Sequence, residues 1–202
     1  CIMPFTIEPI THKHIDSVAK VIFDSFASNQ VDSEHVNEEF LDYLTYMSVT
    51  NVESNLGYVV VDSNNEIIAG VLCCDLKEAL SFDNADDDSM MAILKELNSK
   101  YFETLTVPER SYLQVKFIGV RNDHSGQGIA SALINAVLNN GRALGFRFVQ
   151  AESAGSRSQY VFERMGFSAK ASVKYDEFLF NGTKPFHATE EHQSIKLMIK
   201  KL

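Results

Sequence analysis

The sequence predicts an α/β domain built on a mixed sheet. Stretches with strand periodicity alternate with stretches of helical periodicity along all 202 residues. The run SYLQVKFIGV at 111–120 is apolar enough to be buried on both faces, as a central strand is. The connections are short turn-forming clusters such as DSNN and NNGRALG, with no internal repeat and no low-complexity linker.

Residues 5–10 alternate and read as the first strand. Thr11 is placed to cap a helix over 14–26, with Ile15, Val18, Ala19, Ile22 and Phe26 on one face. SNQVDSEH interrupts it. A second helix is expected over 33–47, with Val36, Phe40, Tyr43, Leu44 and Met47 in register. GYVVVDSNNEIIAGVLCCDL reads as a hairpin turning around 62–65. The acidic patch DNADDD at 83–88 suits the start of a further helix reaching about Phe102, because carboxylates complement the positive end of the helix dipole. No histidine or further carboxylate follows it at ligand spacing, so a metal cluster is not expected there.

After the central strand comes a helix over 127–143, with Ile129, Leu133, Ala136, Val137 and Asn140 as its stripe and Gly141 and Gly145 as breakers. Then follow a strand over 146–152, a short helix over 156–164 ended by Gly166, and strands over 167–178 and 194–200. The order is β-α-α-β-β-α-β-α-β-α-β-β, read as one domain over 1–202.

Apolar residues make up 45% of the chain, ample for one core. The formal net charge of -9 argues against general nucleic-acid binding, which needs a basic face. It suits a cationic or neutral small substrate, or simply solubility. Three cysteines without CxxC or paired spacing indicate neither zinc nor disulfides, and reduced thiols point to the cytoplasm. No apolar run spans a bilayer, and no signal-peptide pattern opens the chain; Met3 is a candidate natural start behind Cys1 and Ile2. NGT at Asn181 fits a glycosylation sequon but reads more simply as a turn.

The most informative stretch is VRNDHSGQGIAS, 120–131. A strand stops, two glycines turn the chain and a helix starts. A helix N-terminus offers unpaired N–H groups and about half a positive charge. Gly126 and Gly128 clear side chains from its approach, Ala130 is small, and the N–H groups of Gln127, Gly128, Ile129, Ala130 and Ser131 form a candidate cradle for a pyrophosphate. A P-loop would end in Gly-Lys-Ser/Thr, and no lysine is present. A dinucleotide-binding turn would follow the first strand. An ordinary strand-to-helix turn remains an alternative.

The strand, the loop Ser125-Gly126-Gln127-Gly128-Ile129-Ala130, the long helix, the next strand and then YVFERMGF together resemble the GNAT superfamily of N-acetyltransferases. The family pattern is Gln/Arg-x-x-Gly-x-Gly/Ala followed about 35 residues later by an aromatic-rich helix ending in Gly-Phe. Here Ser125 replaces the usual Gln or Arg, and Gly166-Phe167 is the second landmark. FTIEPITHKHIDSVAKVIFDSF, VKFIGVRNDHSGQGIASAL, VFERMGFSAKASVKYDEF and the close SIKLMIKKL look like the arylalkylamine (dopamine-type) N-acetyltransferases of invertebrate animals.

The resemblance implies a GNAT-type acyl-CoA N-acyltransferase fold: a mixed, mostly antiparallel sheet with a splayed central strand pair, flanked by helices. It implies acetyl-CoA as co-substrate and no metal. The pantetheine arm is expected against the backbone of Phe117, Ile118, Gly119 and Val120, with the pyrophosphate on the loop that follows. The acetyl-CoA core then covers about 111–168, and the amine side about 22–48 and 150–180. An amine attacks the thioester directly, with a strand N–H as oxyanion donor. An alkylamine with a pKa of about 10.4 must first lose a proton, to a carboxylate or through water.

Many relatives carry a tyrosine one turn before Gly-Phe that protonates the thiolate. Phe162 stands there, a departure shared with the arylalkylamine branch. That branch carries functional serines after the fifth strand. Ser158 matches one; the other falls on Ala154, so its role is absent or moves to Ser153 or Ser156, unless Ser156 is only the helix cap. Tyr160 is a substitute donor if its hydroxyl turns inward. The branch's acidic base position falls on Asn29, which cannot accept a proton. Asp24, Asp32, Glu34 and Glu152 are substitutes, each with a plainer reading as a solvated or capping acid. His124 is a possible relay beside the loop, though an exposed loop histidine is the simpler reading. The other histidines form no i, i+4 metal pair.

The expected substrate is a small primary amine: an arylalkylamine such as dopamine, serotonin, tyramine or octopamine, with Phe23, Phe26, Tyr43 and Tyr46 as an aryl wall if they are not simply core. A polyamine or other alkylamine, a non-catalytic acyl-CoA sensor and a protein acetyltransferase are the alternatives. No nucleic-acid or membrane partner is expected, and a monomer or homodimer is.

Overall fold

The computed structural model describes residues 4–29, 35–80 and 88–202. The chain divides into two compact units, Cys1–Cys74 with Val115–Ala143, and Asp75–Gln114 with Leu144–Leu202.

In the first unit the strand order is β1 (Phe5–Pro9), β2 (Tyr58–Asp62), β3 (Ile67–Asp75) and β4 (Tyr112–Val120). The pairs β1–β2 and β2–β3 are antiparallel, and the hairpin turns where Asp62 accepts bonds from the N–H groups of Asn64 and Glu66, each at 2.9 Å. Helix α1 (Ile15–Asn29) buries Val18, Ala19 and Ile22, and α2 (Glu38–Ser54) packs beside it with Leu44 and Met47. Val59, Val61 and Leu72 complete that core. Two glycines let α1 reach the sheet. A Cβ on Gly70 would collide with Val18, and one on Gly119 would stand 2.9 Å from the Ile22 Cα. Helix α5 (Ile129–Ala143) buries Ile129, Leu133, Ile134, Val137 and Leu138 and packs against β2.

In the second unit the order is β4, β5 (Phe148–Ser153), β7 (Ser194–Lys201) and β6 (Ser168–Lys174), with β5–β7 and β6–β7 antiparallel. Helix α4 (Ser89–Phe102) lies on β6 and β7. Asp88 caps it, accepting from the N–H groups of Met90 at 2.6 Å and Met91 at 3.2 Å. The rest of the acidic patch falls outside the described residues. Helix α6 (Ser156–Arg164) follows β5.

Several expected boundaries move. A 3-10 turn at His12–His14 precedes α1, so the helix proper begins one residue later than expected and runs on to Asn29. Helix α2 starts after Asn37, whose side chain accepts from the Phe40 N–H at 3.1 Å, so Val36 is not on it. It also runs seven residues past Met47. Its later polar residues stay helical by bonding back one turn: Ser48 donates to the Leu44 carbonyl at 2.7 Å and Asn51 to that of Met47 at 2.8 Å. Buried Asn51 also clasps β3, accepting from the Cys73 N–H at 2.8 Å and donating to the Cys73 carbonyl at 3.0 Å.

Gly141 lies buried inside α5 and does not end it; Gly145, with φ of 84°, turns the chain beyond. A short helix α3 (Leu76–Ala79) was not legible. Buried Asp75 caps it and also accepts from the Arg110 N–H at 2.7 Å. Asn181 sits in a tight turn bridged by Phe180 and Thr183, as expected. Cys73 is buried, which pushes its thiol pKa well up, and Cys74 is half-buried; neither is in a disulfide. Among the described residues no helix is long and apolar enough to cross a membrane.

Candidate active site

In the first unit β4 leads into the glycine loop. Its last residues change character: the strand is buried through Val115, while Lys116, Phe117 and Ile118 are half-buried. Gly119 is covered by α1 and Val120 is half-exposed. Arg121 then anchors the chain back to β3, its N–H donating to the Ile68 carbonyl at 2.8 Å.

A 3-10 turn at Asn122–His124 carries the chain to Ser125 and Gly126. Gly126 and Gly128 have φ of 77° and 78°. These values favour glycine over any residue with a Cβ. A Cβ added at either would meet nothing within 4 Å, so the space above the loop is open. The first helical bond is Ala132 N–H to the Gly128 carbonyl, which makes Gly128 the N-cap of α5. The N–H groups of Ile129, Ala130 and Ser131 therefore lack intrahelical acceptors. Ser125, Gly126, Gln127 and Gly128 are exposed, Ala130 and Ser131 are half-buried, and Ile129 is rooted in the core. An open rim, left-handed glycines and a helix N-terminus together fit a diphosphate.

The loop is braced by charge. The Arg121 Nε donates to Asp123 at 2.7 Å and its Nη1 to Glu66 at 2.9 Å. The Arg121 guanidinium, with a hydrogen bond from His124, holds the Asp123 carboxyl down to about 2. Asp123 thus carries its charge beside the glycine loop, with Arg121 against it. His124 is not an exposed loop residue. The 3-10 turn folds its ring inward, leaving it 3% exposed, with Nδ1 2.9 Å from Asp123 and a buried Nε2 that has no partner. A crevice of about 320 Å³ lies between α1 and this loop, lined by Val21, Asp24, Ser25, Arg121, Asn122 and Asp123. Asn122 ties its rim to α1 by donating to Ser28 Oγ at 2.9 Å.

Aromatic side chains gather on the same unit. Phe117 of β4 meets Phe26, Phe40 and Tyr43 edge to face, with centroids 5.8, 5.5 and 5.9 Å away. Phe23 joins through Phe40 at 6.1 Å, and Tyr46 stacks on Tyr43 at 6.4 Å. Tyr43 is 41% and Tyr46 61% exposed, and no ring of the set is fully buried.

In the second unit the expected catalytic residues separate into two faces of β5 and two solvent positions. Buried Ser153 lies 2.6 Å, Oγ to Oγ, from Ser158, which donates to the Gly155 carbonyl at 3.0 Å. With the Ser158 proton so directed, Ser153 is the donor between the two hydroxyls. Gln159 holds this corner, donating to the carbonyls of Ser153 at 3.0 Å and Ser194 at 2.7 Å. Tyr175 donates to the Ala154 carbonyl at 2.7 Å, and burial pushes its phenol up out of the working range. Glu152, on the opposite face of β5, accepts from Asn98 Nδ2 at 2.6 Å.

Two expected donors lie elsewhere. Ser156 is exposed and does not cap α6; Gly155 does, and the Ser156 N–H goes to the Glu191 carbonyl at 2.9 Å. Tyr160 does not turn inward. It is 58% exposed, and its hydroxyl accepts from Arg164 one turn on at 2.9 Å. Phe162 is buried against Phe167 at 4.9 Å, a packing role. Among the substitute bases, Asp24 is exposed and paired with Lys20. Asn29 ends α1, and Asp32 and Glu34 fall outside the described residues. Asn98 was missed. It lies 54 positions from Glu152, and only the seating of α4 on the sheet brings them together. Among the described residues no group of three or more His, Cys, Asp or Glu side chains could hold a metal ion.

Known structures carry the same fold along nearly the whole chain. A condensation domain of Ebony, solved with β-alanyl-dopamine, superposes with a TM-score of 0.83 at 17% identity, covering 99% of this chain and all of that one. Arylalkylamine N-acetyltransferase 2 from Aedes aegypti gives 0.79 at 20% identity over 98% of each chain. The polyamine N-acetyltransferase of Drosophila melanogaster gives 0.78 at 16%, covering 98% of this chain and all of that one. The family model for the GNAT acetyltransferases matches residues 20–167, which take in α1, the glycine loop, the serine corner and the Gly166-Phe167 landmark. The chain belongs to the GNAT family of acetyltransferases and is an N-acetyltransferase.

Proposed function

We propose that this enzyme acetylates a small primary arylalkylamine, with acetyl-CoA as donor. The observation that carries the aryl preference is the set of five aromatic side chains gathered around Phe117, on the strand that the family uses for acetyl-CoA. Phe23, Phe26, Phe40 and Phe117 pack on the core while half-buried, and Tyr43 and Tyr46 are exposed, so the cluster keeps aromatic surface open to a ligand ring. Edge-to-face and stacked ring contacts contribute about 0.5–1.5 kcal/mol each beyond area burial, and a ligand ring would add to them. The net charge of -9 would favour a polyamine instead, and the same amine panel decides between them.

Acetyl-CoA supplies the activated acyl group and a thiolate leaving group. The residues of the chain do the rest. The N–H groups of Gln127, Gly128, Ile129, Ala130 and Ser131 hold the diphosphate, and the backbone of 117–120 aligns the pantetheine arm. Glu152 takes a proton from the incoming ammonium, because a carboxylate that already accepts from Asn98 is oriented before substrate arrives. Ser158 turns its Oγ proton from the Gly155 carbonyl to the departing sulfur, with Ser153 donating into the same oxygen behind it. Cysteines outside any disulfide and the co-substrate support a cytoplasmic enzyme.

The test is thiol release from acetyl-CoA across arylalkylamines and polyamines, for the native enzyme and Tyr43→Ala. The expected result is a loss of about tenfold in kcat/KM for arylalkylamines, the size of one good aromatic contact, with polyamine turnover unmoved. Equal losses on both amine classes, or turnover of polyamines alone, would overturn the aryl reading.

A further inference from the structure

The second unit contains a polar patch that the reaction does not by itself explain. Gln150 is 0% exposed, and neither its Oε1 nor its Nε2 has a hydrogen-bond partner. It lies two residues before Glu152 on β5, so the two side chains share one face of the sheet about 7 Å apart. Directly opposite on β7 are Ile199 and Leu197, both buried and apolar. Over this face α4 brings Asn98.

The orientation of the Asn98 amide follows from its partners. Its Nδ2 donates to the Leu94 carbonyl at 2.8 Å and to Glu152 Oε1 at 2.6 Å. Both partners are acceptors, so the amide cannot be reversed. Its Oδ1 is then buried with no partner. The Gln150 carbonyl oxygen and NH2 group and the Asn98 carbonyl oxygen are thus left without partners, on the two residues that flank the carboxylate the proposed reaction uses.

An unsatisfied buried polar atom costs about 1–3 kcal/mol, so three together are not tolerated without a partner. An ammonium would serve the two oxygens but not the Gln150 Nε2. A group with two donors and an acceptor is required, and water is that group. Three bonds are also what a buried water typically makes.

We infer that Gln150 and Asn98 hold one internal water, and that this water fixes the Asn98 amide which in turn aims the Glu152 carboxylate. Gln150 and Asn98 are positioning residues in this scheme, and neither touches substrate. The water site stands on the geometry alone, whereas its effect on turnover rests on Glu152 being the base.

A high-resolution crystal structure of the native enzyme and of Gln150→Met tests the site directly. The expected density is a single water within bonding distance of the Gln150 amide and Asn98 Oδ1 in the native enzyme, absent in the variant. Empty density in a well-ordered native structure, or a direct Gln150–Asn98 bond, overturns the inference.

Kinetics test the coupling. Gln150→Met is expected to lower kcat about fivefold, the effect of one net hydrogen bond, with KM for acetyl-CoA unchanged. In a Glu152→Gln background the same change should have no further effect. A fivefold loss that persists in that background means a purely structural role and overturns the positioning claim. Wild-type turnover by Glu152→Gln would sink the base assignment instead, and the density would then decide the water site on its own.

Discussion

Placing an aspartate at Gly128 separates the fold of the loop from its binding of an anion. Gly128 has φ of 78°, where a Cβ costs about 1–2 kcal/mol. Asp is among the residues that tolerate this region, and no atom lies within 4 Å of the new Cβ. The position is also the N-cap of α5, where an aspartate gains only a few tenths of a kcal/mol over glycine. The net cost is about 1–2 kcal/mol, so Gly128→Asp should stay folded and melt only several degrees below the native enzyme.

Binding is affected very differently. A carboxylate about 5 Å from a phosphate charge is repelled by about 0.8 kcal/mol at the dielectric of water and about 3 kcal/mol at an effective value near 20. Over the two charges of a diphosphate the penalty is about 2–7 kcal/mol, so affinity should fall at least about thirtyfold. Titration calorimetry with CoA measures it, and acetyl-pantetheine, which lacks the diphosphate, is the control. Unchanged CoA affinity in a folded Gly128→Asp protein would refute the cradle. So would an equal loss for the control.

Three other outcomes are expected. Ser158→Ala removes two hydrogen bonds and strips the buried Ser153 hydroxyl of its acceptor, so it should lose about 1–3 kcal/mol of stability but about tenfold or more in turnover; wild-type kinetics would leave Ser158 a structural residue. Glu152→Gln keeps the oxygen that Asn98 bonds, so it should fold normally while kcat falls about a hundredfold and the acidic limb of the pH–rate profile changes; an unaltered limb would clear Glu152. The third concerns His14, whose pKa burial lowers below 6.5, with Lys13 adding to the effect and Glu8 opposing it. Its folded-state pKa is depressed, so the unfolded chain binds the proton more readily. Stability is then full above pH 6.5 and falls as pH drops through the folded value, which thermal melts from pH 7 to 5 would record. Neutral His14 accepts the Thr11 N–H at Nδ1, 3.1 Å away, and His14→Gln should flatten the dependence.

The sequence carried the element order well, because each strand and helix has an apolar period of its own. It carried the glycine loop best, since positive φ and a helix start are local demands that only certain residues meet. Boundaries set by non-local bonds were illegible. The polar end of α2 looks like a stop until Asn51 is seen bonded to Cys73, 22 positions away. His124 looked solvent-facing because nothing in Asn-Asp-His states which way a 3-10 turn folds its last ring. Tyr160 and Ser158 are two residues apart on one helix, and that spacing turned one outward and the other toward Ser153. Asn98 had no signal at all, because its role exists only across the α4–sheet packing.

Gly119 lets the backbone of α1 close on β4, and Gly70 leaves the room on β3 that the Val18 side chain of α1 fills. That contact works like a keyed joint. A helix resting on side chains can slide or tilt when one of them changes size, but this one has almost no slack. Phe23 and Phe26 therefore keep their bearing on Phe117 through changes elsewhere in the core. On the proposed function, lineages of this enzyme can exchange the side chains of the aromatic cluster one at a time, broad ring for narrow or apolar for acidic, without re-aiming β4. New amine preferences should accordingly arise through substitutions on the exposed turns of α1 and α2, while alanine at either glycine should cost every substrate alike.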